Sequence, residues 1–398
     1  VDPRDPPAHA SFRAEVRAWL EANVPAEWRR PGWRGPALAA DRVALLKGWQ
    51  RRLHEGGFAG LAWPREVGGR GAGIGLQMVF AEEYARANAP DLTLLSVGTS
   101  LVGPVLIAKG KPWQRERFLR PILTGEELWC QGFSEPGAGS DLAALRTRGE
   151  IRGDEIAVSG QKIWTSFARH ADWCILIART DPAAVRKHEG LTFLLVDMRS
   201  PGIEVRPLTE MTGEDWFNQV FFHEVRVPAA NAVGGLGGGW DVVLHTLAHE
   251  RSSSAPHARL EVELAWLREL AKRTPRPGGG TAAADPRIRH ELADCAAEVV
   301  ALRVLAWRNA AAAEAGGRPG PEGSLVKLAW SELDQRVKAL ASEILGHQGL
   351  LLPGDPLAPD AGHWGHALLW SRASTIYAGT SEVQRNIISE RVLRLPRG

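Results

Sequence analysis

Apolar residues recur at three- and four-residue spacing from about Ala8 to Gly125, as in Phe12, Val16, Trp19 and Leu20 and again in Val43, Leu46, Trp49 and Leu53. That period puts them on one face of successive helices. Between Leu128 and about Gly235 the period shortens to two: Ile203, Val205 and Pro207 alternate with polar neighbours, as do Val220 and Phe222 and, after a shift of phase, Val225 and Val227. Gly, Pro and Asp bound these runs, so they predict strands. Helical spacing resumes after Gly234-Gly235-Leu236-Gly237-Gly238-Gly239 and continues to the C-terminus, punctuated at Thr274-Pro275-Arg276-Pro277-Gly278-Gly279-Gly280 and at Gly316-Gly317-Arg318-Pro319-Gly320-Pro321. The pattern predicts an α+β protein with a helical domain over residues 1–127, a small β domain over 128–236 and a helical bundle over 237–398. The first glycine cluster reads as a hinge; its alternative, a phosphate-binding loop, lacks the βαβ setting such a loop needs.

Composition changes this picture little. At 398 residues the chain exceeds the usual span of one core, so several packed units with room for a cofactor are expected. Its 48 basic and 46 acidic residues leave no net field to draw nucleic acid or an anionic membrane. Cys130, Cys174 and Cys295 are odd in number and widely spaced, which argues against a disulfide framework or a zinc site and for a reducing cytoplasm. No apolar run reaches the roughly 20 residues that span a bilayer, and Val1-Asp2-Pro3-Arg4-Asp5 has no signal pattern, so a cytoplasmic location without a membrane span is expected. His363-x-x-His366 has no cysteine or acidic partner at ligand spacing, and no metal is expected.

Three segments carry chemistry. The first, Gln131-Gly132-Phe133-Ser134-Glu135-Pro136-Gly137-Ala138-Gly139-Ser140-Asp141, is rich in turn residues that free N–H groups and two hydroxyls to face a polar ligand; by itself it also reads as a surface turn. The second, Gly160-Gln161-Lys162-Ile163-Trp164-Thr165-Ser166, offers an indole and a hydroxyl, although Trp164, one of 16 tryptophans, also suits a core. The third, Ile376-Tyr377-Ala378-Gly379-Thr380-Ser381-Glu382-Val383-Gln384-Arg385-Asn386, is a loop followed by a helix with Thr380 as its N-cap.

Together these strings resemble the signatures of the acyl-CoA dehydrogenase family, and the resemblance extends over nearly the whole chain. It implies an N-terminal helical domain, a middle β-barrel or sandwich domain and a C-terminal four-helix bundle, with FAD as cofactor. In that family the Ser134 position bonds the flavin pyrimidine edge, the Trp164 position covers one face of the isoalloxazine, and the Ser166 position bonds its reactive nitrogen. Phe133, Thr380 and Glu382 are carried over as further flavin contacts, Ser140 as a contact to flavin and to the CoA phosphates, and Gly379 as a substrate contact. Many members carry their catalytic glutamate where this chain has Ala378, and use the main-chain N–H of that position to bond the thioester oxygen. Alanine deletes the base and keeps the donor.

A base is needed to remove the proton α to a thioester. Trp240, Val243, Leu247, Glu250 and Ser254 are spaced 3, 4, 3 and 4, which places the Glu250 carboxylate on an apolar helical stripe. Poor solvation there raises a carboxyl pKa and makes the ion a stronger base. Glu250 pairing with Arg251 or another cation in a buried network is the other reading of the dipeptide. Long-chain and isovaleryl-type members place their glutamate at this helical position, directly before an arginine that supports the thioester end of the ligand, the part given to Arg251. The resemblance then implies that Glu250 removes the α-proton while flavin N5 takes the β-hydride of an acyl-CoA, giving a trans-2-enoyl-CoA, with electrons passing to an electron-transfer flavoprotein.

Two segments depart from the family. Where relatives hold the FAD pyrophosphate of a neighbouring subunit with Arg-x-x-Phe-Gly, this chain reads Arg273-Thr274-Pro275-Arg276-Pro277-Gly278; where they carry a glutamine before a glycine-rich turn, it has Glu343-Ile344-Leu345-Gly346-His347-Gln348-Gly349. A carboxylate near a pyrophosphate is repulsive unless protonated or paired. A homo-tetramer with altered FAD contacts and a hetero-oligomer with a related subunit both remain open, as do a non-catalytic subunit and a flavin oxidase or acyl-carrier-protein dehydrogenase on the same fold.

Overall fold

The computed structural model describes residues 5–36, 39–250, 255–315 and 320–396, with main chain alone at 248–250. The N-terminal third is helical: α1 (Pro7–Asn23), α2 (Ala39–Glu55), α3 (Ile74–Arg86), α4 (Thr93–Ser96), a π-helical turn (Val97–Val102), α5 (Gly103–Lys109) and α6 (Pro112–Thr124). Strands follow: β1 (Trp129–Gly132), β2 (Arg148–Arg152), β3 (Glu155–Ser166), β4 (Trp173–Arg179), β5 (Leu191–Asp197), β6 (Ile203–Leu208), β7 (Phe217–Pro228) and β8 (Ala232–Val233). Helices then return as α7 (Gly239–Glu250), α8 (Pro256–Arg273), α9 (Pro286–Glu314), α10 (Gly323–Leu345), α11 (His363–Ser371) and α12 (Ser381–Ile387). The order helical, β, helical is the one the periodicity predicts, and among the described residues no helix is long and apolar enough to cross a membrane.

Contacts divide the chain into two compact units. Pro36–Gly71 and Asp91–Glu250 form one, holding the sheet with α2 and α4 to α7. Its strands run in the order β6-β7-β3-β2-β4-β5-β8, with β1 parallel to β4. The phase shift between Phe222 and Val225 is a bulge: Gly160 faces Phe222 and Val158 faces Val225, so two residues of β7 oppose one of β3. Glu224 absorbs the bend at φ +50°, and Val220, Phe222, Val225 and Val227 all stay in the core with Ile156, Leu176 and Leu194. Each such side chain contributes roughly 1.5–3 kcal/mol by leaving water. Cys130 and Cys174, register partners on β1 and β4, are buried and free, and Cys295 is likewise.

The second unit gathers Val1–Gly35, Ala72–Pro90 and Arg251–Gly398. Here α8, α9 and α10 pack on one another, α11 lies on α10, and α3 lies on α8 and α9. The predicted interruptions separate α8 from α9 and α9 from α10, with residues 316–319 outside the described set. Asp285 caps α9 by accepting from the Arg287 N–H at 2.9 Å. Leu260, Leu267, Val299, Leu302, Val337, Leu340 and Trp364 fill the bundle. Charges are buried within it too. Lys338 on α10 pairs with both Glu263 of α8 and Asp334 one turn away, while Glu82 of α3 is reached by Arg13 at 2.8 Å and His257 at 3.0 Å.

Candidate active site

On the sheet, the first two segments are brought together by a buried ion pair. Lys162, fully buried in β3, reaches back to the segment after β1, donating to the Phe133 carbonyl at 3.0 Å and to Glu135 Oε1 at 2.9 Å. Glu135 also accepts from the N–H groups of Arg146 at 2.7 Å and Thr147 at 2.8 Å. Burial pulls the Lys162 ammonium down to about 8, partly opposed by the Glu135 carboxylate. Burial pushes the Glu135 carboxyl up, but Lys162 and the N–H donors outweigh it and hold the group below the usual carboxylate range. The pair is therefore ionised at neutral pH. The main chain joins the same segments, since the Ile163 N–H donates to the Ser134 carbonyl at 2.9 Å.

Above this anchor the strand bulges again. Lys162 faces Val220 and Thr165 faces Asn218, so Ile163 and Trp164 share one opposing position, and Trp164 adopts φ +59°. A bulky residue in that region costs about 1–3 kcal/mol, which the surrounding strand pairing must offset. Its indole is 59% exposed, so Trp164 is not the core tryptophan that its residue type alone suggests. It touches Phe217 edge-on at 6.0 Å between ring centroids. Ser166 ends β3 half-buried, Ser134 is half-buried, Phe133 is buried against Phe193, and Ser140 is exposed beside Asp141, which pairs with Lys187 at 2.7 Å. A wide exposed indole held rigidly near two half-buried hydroxyls suits the face and polar edge of a planar heteroaromatic ring, and these residues fit a flavin.

The third segment lies in the other unit, in the turn between α11 and α12. Ala378 has φ +53° and Gly379 φ +92°, consecutive left-handed residues. Thr380 caps α12, its hydroxyl accepting from the Val383 N–H at 3.2 Å. The Ser381 N–H donates to the Thr375 carbonyl at 3.0 Å, closing the loop. No hydrogen bond from the Ala378 N–H is made among the described residues. Glu382 is exposed in the first turn of α12. Helix α10 holds the approach to the loop: Lys327 donates to the Ser374 carbonyl at 3.0 Å, Gln335 to Thr375 Oγ1 at 3.0 Å, and Ser374 Oγ donates to Asp334 at 2.9 Å.

Glu250 is the last described residue of α7, seven positions after the fully buried Val243, on a helix whose other buried residues include Val242 and Thr246. Arg251 and Ser254 lie outside the described residues. The departures from the family pattern have a local account. Glu343 pairs with Arg287 of α9, and its carbonyl accepts from Arg276 at 3.4 Å. The carboxylate is thus neutralised within its own unit.

Reading residues in isolation missed the Glu135–Lys162 pair, the left-handed bulge at Trp164 and the π-helical turn. Glu135 and Lys162 stand inside the quoted strings, but nothing in a linear string says that they meet. A bulge at Trp164 has no composition signal, because glycine is the residue that would announce it.

Known proteins share this architecture. Family models for the N-terminal, middle and C-terminal domains of acyl-CoA dehydrogenases match residues 6–126, 130–225 and 237–393. The chain is 42% identical over 391 residues to acyl-CoA dehydrogenase IpdE1 of Mycobacterium tuberculosis, covering 97% of each. It is 29% identical to the mitochondrial short-chain specific enzyme of Mus musculus, over 90% of this chain and 85% of that one. Among solved structures, it superimposes on the Tcur3481-Tcur3483 steroid ACAD with a TM-score of 0.87 and 32% identity over 100% of both chains. The ChsE4-ChsE5 complex of Mycobacterium tuberculosis gives 0.86 and 31%, again over 100% of both. The chain belongs to the acyl-CoA dehydrogenase family and is an oxidoreductase acting on acyl-CoA.

Proposed function

We propose that this enzyme introduces a trans α,β double bond into a bulky, ring-bearing acyl-CoA such as a steroid-derived thioester, with Glu250 as the base. The observation that carries the flavin part is Trp164, an exposed indole held at a cost in backbone strain on the bulge between Lys162 and Thr165. When bound, FAD supplies the acceptor for the β-hydride. Trp164 excludes water from one ring face, and the Ser134 and Ser166 hydroxyls offer hydrogen bonds at the ring's polar edge. Glu250 takes the α-proton. The Ala378 N–H, left unused by its own loop, donates to the thioester oxygen as that oxygen gains charge. Gly379 keeps the adjoining main chain clear of side-chain bulk, Arg251 supports the thioester end, and Ser140 serves the CoA phosphates. An electron-transfer flavoprotein is the onward acceptor.

The acyl class follows from the steroid ACAD named among the structural neighbours. Two of those neighbours are named as pairs of different subunits, which favours a hetero-oligomer with a related chain over a homo-tetramer. The Arg287–Glu343 pair supports the same choice, because it removes a polar contact that a neighbouring subunit's FAD could otherwise use.

Anaerobic bleaching of the purified flavoprotein by a panel of octanoyl-, palmitoyl-, isovaleryl- and cholanoyl-CoA tests the reading. Reduction is expected to be fastest with cholanoyl-CoA, and Glu250→Gln should slow it by about 10²- to 10⁴-fold, the usual worth of a general base. Parental rates in that variant would place the base elsewhere.

A further inference from the structure

One buried side chain shapes the Ala378 loop and has no part in the roles assigned above. Gln384, on the second turn of α12, is 0% exposed. Its Nε2 donates to two carbonyls, those of Ala378 at 3.0 Å and Gly379 at 3.1 Å. A Cβ on Gly379 would stand 2.6 Å from that nitrogen, so the amide of Gln384 in this position leaves room only for glycine at 379. On the other side of Ala378, the Ile376 and Tyr377 N–H groups both donate to the Ala373 carbonyl, at 2.8 and 3.1 Å. The peptide that carries the Ala378 N–H is therefore held between a hydrogen-bonded turn before it and the Gln384 amide after it. Without the amide, two half-buried carbonyls would lose their donor and a left-handed alanine would lose the contact that offsets its strain.

We propose that Gln384 is a positioning residue for the reaction: it holds Ala378 and Gly379 in the left-handed conformation that presents the Ala378 N–H to the thioester oxygen. The role rests on the α,β-dehydrogenation reading above. A donor aimed in advance at an oxygen that becomes negative as the α-proton leaves acts mainly in the transition state, so its misplacement lowers kcat more than it raises KM. Two substitutions of similar size separate this from a packing role. Gln384→Met removes both donors at every pH. Gln384→Glu places a carboxyl against two carbonyl oxygens; its ionised form is repelled, and burial raises its pKa, while its protonated form donates one hydrogen bond. Donation in that variant is present below the raised pKa and lost as pH rises through it.

The test is steady-state turnover with an artificial electron acceptor on octanoyl-, isovaleryl- and cholanoyl-CoA from pH 5.5 to 9 in the oligomer as purified, with anaerobic flavin reduction, flavin content and thermal melting recorded for each variant. Gln384→Met should lower kcat by about 10- to 100-fold with KM changed by no more than about threefold, below or at the loss seen when an oxyanion donor is deleted. Gln384→Glu should approach the parent at the acid end and fall to the Gln384→Met rate at the alkaline end, an alkaline limb that the parent lacks. Because the Gln384→Glu comparison runs across pH in one protein, it stands even where Gln384→Met folds poorly. Parental kcat in both variants, or a pH-independent loss in Gln384→Glu, overturns the positioning role while leaving the dehydrogenase reading intact. No reduction of the parent by any thioester removes that reading and the role with it.

Discussion

On the sheet, Ser134, Trp164 and Ser166 offer side chains, and an ionised pair beneath them, Lys162 with Glu135, fixes the two strings that carry them. In the turn before α12, Ala378 and Gly379 offer main-chain groups, and a neutral amide from Gln384 fixes them. Both places use left-handed residues, at Trp164 and at Ala378. The difference lies in how each can fail. A buried ion pair stripped of one partner leaves a charge without compensation, whereas a stripped amide leaves carbonyls that can turn toward water.

Breaking the sheet anchor should therefore have the largest effect. Lys162→Met keeps volume but leaves the Glu135 carboxylate buried with only main-chain donors. A loss of about 3–5 kcal/mol is expected by chemical denaturation. The double variant Lys162→Met with Glu135→Leu should recover only part of it, since the uncompensated charge is gone while the Arg146 and Thr147 N–H groups lose their acceptor. A single variant as stable as the parent would show that the pair does not anchor the segments.

The helical bundle of the unit that carries the Ala378 loop should respond to acid. Burial pulls the His363 imidazole down to about 4 from 6.5. Burial pushes Glu263 up, but Lys338 and Arg259 outweigh it and hold that carboxyl at about 2. Between pH 6.5 and 4 the unfolded chain binds a proton that the folded one refuses, so stability falls as pH drops through that window. The share from His363 is on the order of 3 kcal/mol. His363→Phe, packing on Trp266 and Trp364 in place of the imidazole, should flatten the fall in a pH series of melting curves. An unchanged slope would assign the acid sensitivity to other groups. In the sheet pair Lys162 stays protonated below about 8 and adds no step there, while Glu135, held low by Lys162 and its N–H donors, adds its own only as pH falls below the ordinary carboxylate value.

How much of this was legible in the sequence follows the same divide. Side-chain chemistry was readable: the strings around Ser134 and Trp164 announced their family, the alternation of Val220 and Phe222 gave strand β7, and Thr380 was identifiable as a cap. Even the bulge at Glu224 left a trace, as the slipped phase of Val225 and Val227. What a linear string hides is pairing across distance. Glu135 and Lys162 are 27 residues apart, Glu343 and Arg287 belong to different helices, and no periodicity links either pair. The left-handed state of Ala378 was hidden for another reason: alanine is not among the residues that visit that region routinely, and the amide that holds it comes from a helix that begins afterwards.

The loop should yield to a smaller change without disturbing the sheet. Thr380→Ala removes the cap of α12 and should cost about 1 kcal/mol. Amide hydrogen exchange should quicken at Val383 and Gln384, whose N–H groups bond Thr380, while Ile163, bonded to the Ser134 carbonyl, keeps its protection. Exchange that quickens equally at both places would mean that the two regions do not open independently.

The smallest stability effect should come from the residue with the most exposed role. Trp164→Gly gives up an edge-on contact with Phe217, about 0.5–1.5 kcal/mol, and relieves a left-handed backbone that costs a bulky residue about 1–3 kcal/mol. The two changes oppose each other, and because the indole is 59% exposed little core contact is lost with it. Melting temperature should stay within a few degrees of the parent or rise. Flavin retained through gel filtration should fall nonetheless, since one ring face would then meet water. A variant that melts far below the parent would make Trp164 part of the fold, and one that keeps both its stability and its flavin would leave the strain at this position without a function.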